Sequence, residues 1–474
     1  MTFGNIKKAH FIGIAGKGMS ATALLLRQLG CKISGSDDGF YPPVSDYLAR
    51  AHIPFSQGYR KEHIPPDTDI IVVGKNAKLV PEQNDEVRAA FESGKPVRSF
   101  PDVLEELAEG KDTIVVAGSY GKSTCTALLA WCLAHAGKDP SYFIGEVTNG
   151  FEAYAHLGKS NVFVLEGDEY PSANWDERSK FLHYRPKNVL LTSATHDHVN
   201  VFPTHEEYLA PFRDLLKLLP PDGLLVANQG ELHARRLTQG FPGRKVFYGL
   251  DAATWHAADV VYGNKTTFNL MQERKPIALL TMSLLGAHNI ENIVGVSAML
   301  LERKLLTPPE LAAGIASFQG VKRRLDRKSE RTSIPIFEGF GSSYEKAKSA
   351  ISAIQKHFPH RRLTVVFEPH TFSWRNRSAL AWYDDVFAGS SKVFIYEPAA
   401  QGAGTHAQLS QEEIVARVKK AGFDATAIQE PAAAIATIDG SLEKNDVILL
   451  LTSGNLGGLI ETIPRLAEQK FPLK

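Results

Sequence analysis

Twice within the first 125 residues a short apolar run ends in glycines and leads directly into a helical pattern. Ala9 to Ile14 leads into Gly13-Ile14-Ala15-Gly16-Lys17-Gly18-Met19-Ser20, and Asp112 to Ala117 leads into Gly118-Ser119-Tyr120-Gly121-Lys122-Ser123-Thr124. A strand that turns through glycines into a helix is half of a βαβ unit, so the repetition points to parallel sheets with helices packed on their faces. Further apolar runs at 32–34, 69–73, 363–367, 393–396 and 447–452, each near a helical pattern, continue the alternation. The expectation is an α/β chain whose 474 residues exceed one hydrophobic core and divide into about three domains. We place these at 1–108, 109–326 and 327–474.

Composition removes several classes of function. With 53 Lys+Arg against 52 Asp+Glu, the net charge of +1 gives no overall attraction to nucleic acid or a lipid surface. No apolar run reaches the ~18–20 residues needed to cross a bilayer. The three cysteines, Cys31, Cys125 and Cys132, have no metal-ligand spacing and read as reduced thiols of a cytoplasmic protein. The apolar start is interrupted by Gly13, Gly16, Lys17 and Gly18, unlike a signal peptide.

The second glycine loop carries the Gly-Lys-Ser/Thr core of a phosphate-binding loop, shorter than the common eight-residue form. Backbone N–H groups at the helix start and the Lys122 ammonium suit phosphate oxygens, and the Ser123 hydroxyl suits Mg²⁺. Two later strand ends supply acids and imidazoles: Glu166-Gly167-Asp168-Glu169-Tyr170 after 162–165, and His196-Asp197-His198 after 189–192. Ligands collect at such carboxyl ends in parallel sheets, and carboxylate and imidazole there suit one or two Mg²⁺ ions. The first loop reads G-x-x-G-x-G rather than G-x-G-x-x-G. It fits either a dinucleotide or a diphosphate at the helix start, with Asp37 placed to accept a ribose hydroxyl.

These segments, with Gly35-Ser36-Asp37 and Gly286-Ala287-His288-Asn289-Ile290-Glu291-Asn292, resemble the Mur ligases of bacterial cell-wall synthesis over essentially the whole chain. Asp176-Glu177-Arg178-Ser179-Lys180-Phe181-Leu182-His183-Tyr184, Tyr41-Pro42-Pro43 and Gln57-Gly58-Tyr59 look like the branch that joins UDP-N-acetylmuramate to a recycled murein tripeptide, L-alanyl-γ-D-glutamyl-meso-diaminopimelate. Phe318-Gln319-Gly320-Val321-Lys322-Arg323-Arg324 and Pro369-His370 are similar to the L-alanine-adding branch.

The resemblance implies a Rossmann-like N-terminal domain for UDP-sugar, a central ATPase domain and a Rossmann-like C-terminal domain. It implies ATP and Mg²⁺ as cofactors, and an acyl phosphate attacked by an amine. By matching position, Gly118, Ser119, Gly121, Lys122, Ser123 and Thr124 hold ATP phosphates. Ser123 and Glu166 hold one Mg²⁺, and His198 a second. His288, Asn289 and Asn292 approach adenine, and Arg324 the γ-phosphate. Gly16, Gly18, Met19, Ser20, Asp37 and Asn76 fall to UDP-N-acetylmuramate, and His370, Arg375 and Arg377 to the peptide. Phe212 stands where sister branches carry a carbamoylated lysine. Glu338-Gly339-Phe340-Gly341-Ser342-Ser343-Tyr344 replaces an acid- and histidine-rich segment, leaving Glu338, Ser342 and Ser343 as its hydrogen-bonding groups. Another amine such as L-alanine, and a non-catalytic paralogue, remain open; a dehydrogenase is the remote alternative.

Overall fold

The computed structural model describes all residues except 1–5, 42–43, 198–200, 264, 398–407 and 474. The chain forms two compact units. One comprises Met1–Asp259, Phe268–Thr281 and Ile290–Gln319, and the other Val260–Thr267, Met282–Asn289 and Gly320–Lys474.

The first sheet contains β1 (Lys8–Ile12), β2 (Lys32–Asp37), β3 (Phe55–Gln57), β4 (Ile70–Val73) and β5 (Val97–Arg98), in the order β3-β2-β1-β4-β5 and parallel throughout. Strand residues alternate between two buried faces. Phe11, Ile33, Ile70 and Val72 pack with Met19, Leu26, Leu48 and Val103, while Ile12, Ile71 and Val73 pack with Val87 and Ala90. Such two-sided burial is why the strands read as unbroken apolar runs rather than as alternating ones. The order reverses beside β1, so the first glycine loop opens at a switch point.

The second sheet follows: β6 (Asp112–Ala117), β7 (Ser141–Phe143), β8 (Ala155–His156) and β9 (Val162–Gly167). A separate antiparallel hairpin, β10 (Pro171–Ala173) and β11 (Asp176–Ser179), comes next in the chain. The sheet then takes β12 (Asn188–Leu191), β13 (Leu224–Asn228), β14 (Arg244–Tyr248), β15 (Trp255–Val261), β16 (Thr266–Gln272) and β17 (Lys275–Met282). Its order is β17-β16-β15-β14-β13-β12-β6-β9-β7-β8. Pairing is parallel from β15 through β7 and antiparallel between β7 and β8. Here β6 lies between β9 and β12, so the second glycine loop and both acid- or histidine-bearing strand ends emerge side by side.

In the second unit β18 (Arg324–Arg327), β19 (Ile336–Gly339), β20 (Arg362–Phe367), β21 (Lys392–Tyr396), β22 (Ala425–Ile428) and β23 (Asp446–Leu451) form a sheet ordered β18-β19-β23-β20-β21-β22. It is parallel except for the antiparallel β18–β19 edge. Ile351, Ile354, Ile414 and Val418 cover one face, and Ile438, Leu459 and Ile463 the other. The α/β class is as the sequence implies. The alanine-rich piece at 432–436 lies within the helix Pro431–Ser441. Among the described residues no helix is long and apolar enough to cross a membrane.

Candidate active site

The helix Lys122–His135 begins at Gly121 without a side-chain cap, and the helix Lys17–Gln28 begins the same way at Gly16. Helices starting at Asp85, Phe100, His205, Tyr344 and Gln411 instead have Asn, Ser or Thr side chains accepting from their first-turn amides. An uncapped start leaves backbone donors and the positive end of the helix dipole for an anion. Glycine is enforced at the second loop. Gly118 has φ +145° and a Cβ there would lie 2.2 Å from Thr192 Oγ1; Gly121 has φ +80° and would meet Asn292 Oδ1 at 2.7 Å. The loop is clamped to the end of β12: Tyr120 donates its N–H to Ser193 Oγ at 2.9 Å, Thr192 Oγ1 donates to Tyr120 O, and Ser119 Oγ to Thr195 O.

Lys122 Nζ lies 2.9 Å from Glu169 Oε2, a carboxylate with no solvent exposure. Burial alone would depress the ammonium; the charges of Glu169 and Asp168 outweigh it and raise its pKa, so Lys122 is charged. Ser123 donates its hydroxyl to Glu166 Oε1 at 2.7 Å, and Gly145 N–H donates to Glu166 Oε2 at 2.6 Å. Burial pushes the Glu166 carboxyl above its ordinary range despite those two bonds. Asp168 is pushed up by burial but held below its ordinary value by Lys180, at 2.6 Å, and by Lys122. Tyr208 OH lies within hydrogen-bond distance of both Ser119 Oγ and Glu169 Oε1, at 2.9 and 3.2 Å. Asp168 and Glu169 belong to the acid-bearing strand end that the sequence points to, without individual roles there, whereas Lys180 and Tyr208 are site residues that the pattern does not reveal. The signal for Glu169 was its place three residues beyond Glu166 on a strand end, but nothing in the pattern says which acid faces the lysine.

Two oxygen donors 2.7 Å apart, Ser123 Oγ and Glu166 Oε1, suit a hard cation: adjacent ligands of an octahedral Mg²⁺ with ~2.1 Å bonds are roughly 3 Å apart. His198 lies outside the described residues. Asn292 faces Gly121, as the Cβ contact shows. Phe212 is fully buried, its ring 5.4 Å from Phe181 and 5.3 Å from Tyr208, and fills its position with packing.

At the first loop Asp37 braces the turn. Its Oδ2 accepts Ala15 N–H at 2.8 Å, and its Oδ1 accepts Asp38 N–H at 2.8 Å and the Tyr59 hydroxyl at 3.1 Å. Gly18 packs beneath the Phe100 ring, where a Cβ would approach to 2.9 Å. Met19 and Ser20 are buried. Ser20 N–H donates to Gly16 O, and its hydroxyl lies 3.0 Å from Gly16 O and 2.7 Å from Tyr154 OH. Asn76 is exposed; its Oδ1 accepts Lys78 N–H and its carbonyl accepts from Asn174. Lys17 reaches Glu146 at 2.8 Å.

In the second unit Arg324 opens β18 with its guanidinium 4.6 Å above the Phe340 ring. Glu338 is 3% exposed and accepts from Arg323 and Lys328, both at 2.9 Å, while Ser343 caps the helix Tyr344–His357. Those groups are therefore committed to the fold rather than free to hydrogen-bond a nucleotide. His288 is exposed beside Ser349, and Asn289 is buried with its amide on Leu285 O. His370 lies 3.3 Å from Glu368; Arg375 is buried, and Arg377 is exposed and pairs with Glu413 at 3.1 Å.

An uncapped loop at a sheet switch point, followed by a lysine-bearing loop flanked by the buried Glu169 and the partly buried Glu166 and Asp168, is the arrangement of an anion-binding α/β protein. The sequence matches the Mur ligase family, catalytic domain, over residues 8–112 and the Mur ligase middle domain over residues 116–300. It is 31% identical to the UDP-N-acetylmuramate–L-alanine ligase of Halorhodospira halophila, covering 97% of this chain and 93% of that protein. It is 28% identical to the UDP-N-acetylmuramate–L-alanyl-γ-D-glutamyl-meso-2,6-diaminoheptandioate ligase of Escherichia coli, covering 83% and 85%. The fold is similar to the crystal structure of a UDP-N-acetylmuramate–alanine ligase from Thermotoga maritima, with TM-score 0.77 and 21% identity over 98% of this chain and 99% of that one. The chain belongs to the Mur ligase family. It is accordingly an ATP-dependent ligase that forms an amide bond in the peptidoglycan pathway.

Proposed function

We propose that this ligase joins UDP-N-acetylmuramate to the murein tripeptide L-alanyl-γ-D-glutamyl-meso-diaminopimelate, releasing ADP and phosphate. A carboxylate is a poor electrophile, and ATP makes it reactive by converting it to an acyl phosphate that the peptide amine attacks. No protein nucleophile is needed; alignment and charge neutralisation suffice. The observation that carries the chemistry is the pairing of Lys122 with Glu169 beside the Ser123–Glu166 pair. It leaves a charged ammonium and a two-oxygen cation seat at the start of one uncapped helix.

In this reading Gly118, Ser119, Gly121, Lys122, Ser123 and Thr124 cradle the ATP phosphates, Ser123 and Glu166 hold one Mg²⁺, and His198 holds a second. His288, Asn289 and Asn292 serve adenine, and Arg324 the γ-phosphate. Gly16, Gly18, Met19, Ser20 and Asn76 serve the UDP-sugar, with Asp37 acting through the loop it braces. His370, Arg375 and Arg377 serve the peptide. The domain limits 1–108, 109–326 and 327–474 belong to the same proposal.

The choice of tripeptide rests on the segment Asp176–Tyr184 and its likeness to the recycling branch. The 31% identity to an L-alanine ligase favours a second reading, with L-alanine as the amine. Purified protein with ATP, Mg²⁺ and UDP-N-acetylmuramate is offered L-alanine, the dipeptide and the tripeptide in parallel, with phosphate release and product mass recorded. Turnover with the tripeptide alone is expected. Turnover with L-alanine alone selects the second reading, and none with any amine returns the chain to a binding role.

A further inference from the structure

His183 ends the short turn Lys180–His183 and has no solvent exposure, yet neither ring nitrogen makes a hydrogen bond. Three carboxylates surround it. Nδ1 lies 3.3 Å from Asp102 Oδ1 and 3.4 Å from Glu105 Oε2, both on the helix Phe100–Leu107, and Nε2 lies 3.2 Å from Asp176 Oδ2. Charge-assisted N–H···O bonds close to about 2.7–2.9 Å, so the Nδ1 separations are too long for them. Those separations instead match the edge of a tetrahedron around a cation: metal–ligand bonds of ~2.1 Å place neighbouring ligands roughly 3.4 Å apart.

The remaining oxygens are held as a metal site requires. Asp102 Oδ2 accepts the Ser99 amide and hydroxyl, both at 2.8 Å, leaving Oδ1 for the centre. Glu105 Oε1 accepts Arg185 Nε at 3.0 Å, leaving Oε2. Asp176 is fixed by Arg178, at 2.7 Å, and is placed to accept a proton from Nε2, which presents the Nδ1 lone pair to the two acids. A carboxylate–histidine pair of this kind orients metal-ligating imidazoles. When no ion is bound a proton on the imidazole answers these carboxylates, since against the effect of burial Asp102 and Asp176 raise the His183 pKa, and a metal would take that proton's place at Nδ1.

We propose that Asp102, Glu105 and His183 form a divalent transition-metal site of the zinc class, with Asp176 orienting the imidazole. Asp102 and Glu105 have side chains 25% and 31% exposed, which leaves an entry path and a fourth position for water. One imidazole and two carboxylates suit Zn²⁺ or Co²⁺ better than Mg²⁺, which prefers all-oxygen shells. A bound ion would tie the helix Phe100–Leu107 to the segment that also carries Lys180, the partner of Asp168.

The test uses the full-length protein, stripped with chelator and held in excess Mg²⁺ so that the Ser123–Glu166 seat is saturated. Zn²⁺ is titrated by calorimetry, and Co²⁺ by its visible absorption, whose intensity reports tetrahedral geometry. One equivalent is expected in wild type and in Glu166→Gln. Asp176→Asn and Glu105→Gln should each weaken binding by about 10- to 100-fold, and His183→Gln should abolish it. Glu105 is partly exposed and caps nothing, so Glu105→Gln keeps the test readable if His183→Gln does not fold. The proposal is overturned if wild type takes up no stoichiometric Zn²⁺ or Co²⁺, or if both Glu105→Gln and His183→Gln bind as wild type does.

Discussion

The Lys122 ammonium and the wholly buried Glu169 carboxylate lie 2.9 Å apart, on the phosphate-loop helix and just beyond the neighbouring strand β9. The pair sets a polarity that a glycine loop alone would lack. Lys122 also donates to Gly118 O, so it is folded back over its own loop and must exchange these partners for phosphate. Removing one member of a buried pair strands the other charge and costs about 3–5 kcal/mol. Glu169→Gln should therefore lower the unfolding midpoint and weaken ATP use. Lys122→Ala should cut turnover by about 10²–10³-fold while UDP-sugar binding survives. Thermal unfolding, steady-state ATP kinetics and calorimetry with UDP-N-acetylmuramate check both; joint loss of both ligands in a folded Lys122→Ala would refute separate sites.

Gly121 separates two costs that usually come together. Its φ of +80° penalises any side chain, by about 1–2 kcal/mol, and its Cβ would also press on Asn292 Oδ1. Gly121→Ala should be destabilising, and adding Asn292→Ala should recover only the steric part. A double mutant that regains wild-type stability would mean that backbone conformation carries no cost there. One no more stable than Gly121→Ala would remove Asn292 as the obstacle.

For the cation seat, Glu166→Ala is expected to raise the Mg²⁺ concentration for half-maximal activity more than Ser123→Ala does, because a carboxylate contributes charge as well as an oxygen. Phosphate release across a Mg²⁺ series measures both. An unchanged requirement in each variant would assign the 2.7 Å contact between them to loop packing alone.

Much of this was legible in the sequence because it depends on local order along the chain. Strand, glycine and helix follow one another at both loops, and β6 and the helix after it start at Asp112 and Lys122, where the pattern puts them. What stayed hidden depends on contacts across the fold. Nothing local distinguishes Glu169, which meets Lys122, from Asp168, which meets Lys180. Asp37 sits where a ribose acceptor is expected, but its carboxylate is also engaged by Ala15, Asp38 and Tyr59, two of them 22 residues away. The Asp102–Glu105–His183 group joins a helix to a turn about 80 residues later, beyond the reach of any spacing rule.

Asp446 supplies a pH dependence of defined sign. It opens β23 with no solvent exposure, its Oδ2 accepting Glu443 N–H and its Oδ1 making no hydrogen bond, with Arg362 Nε 3.4 Å away. Burial pushes its carboxyl up to about 6, against the opposing pull of Arg362 and Arg361. A carboxyl whose folded-state pKa is raised binds its proton more tightly when folded. Its contribution therefore grows as pH falls from 7 through about 6, and levels off below the ordinary value of 3.8. At neutral pH the ionised group costs stability, by about 3 kcal/mol. Asp446→Asn, which cannot ionise, should raise the unfolding midpoint relative to wild type at pH 7.5, with the advantage roughly halved at pH 5 and lost only below the ordinary value of 3.8. Thermal unfolding of both proteins across this range decides it. A difference that does not change with pH would mean that the buried carboxyl does not titrate in this window.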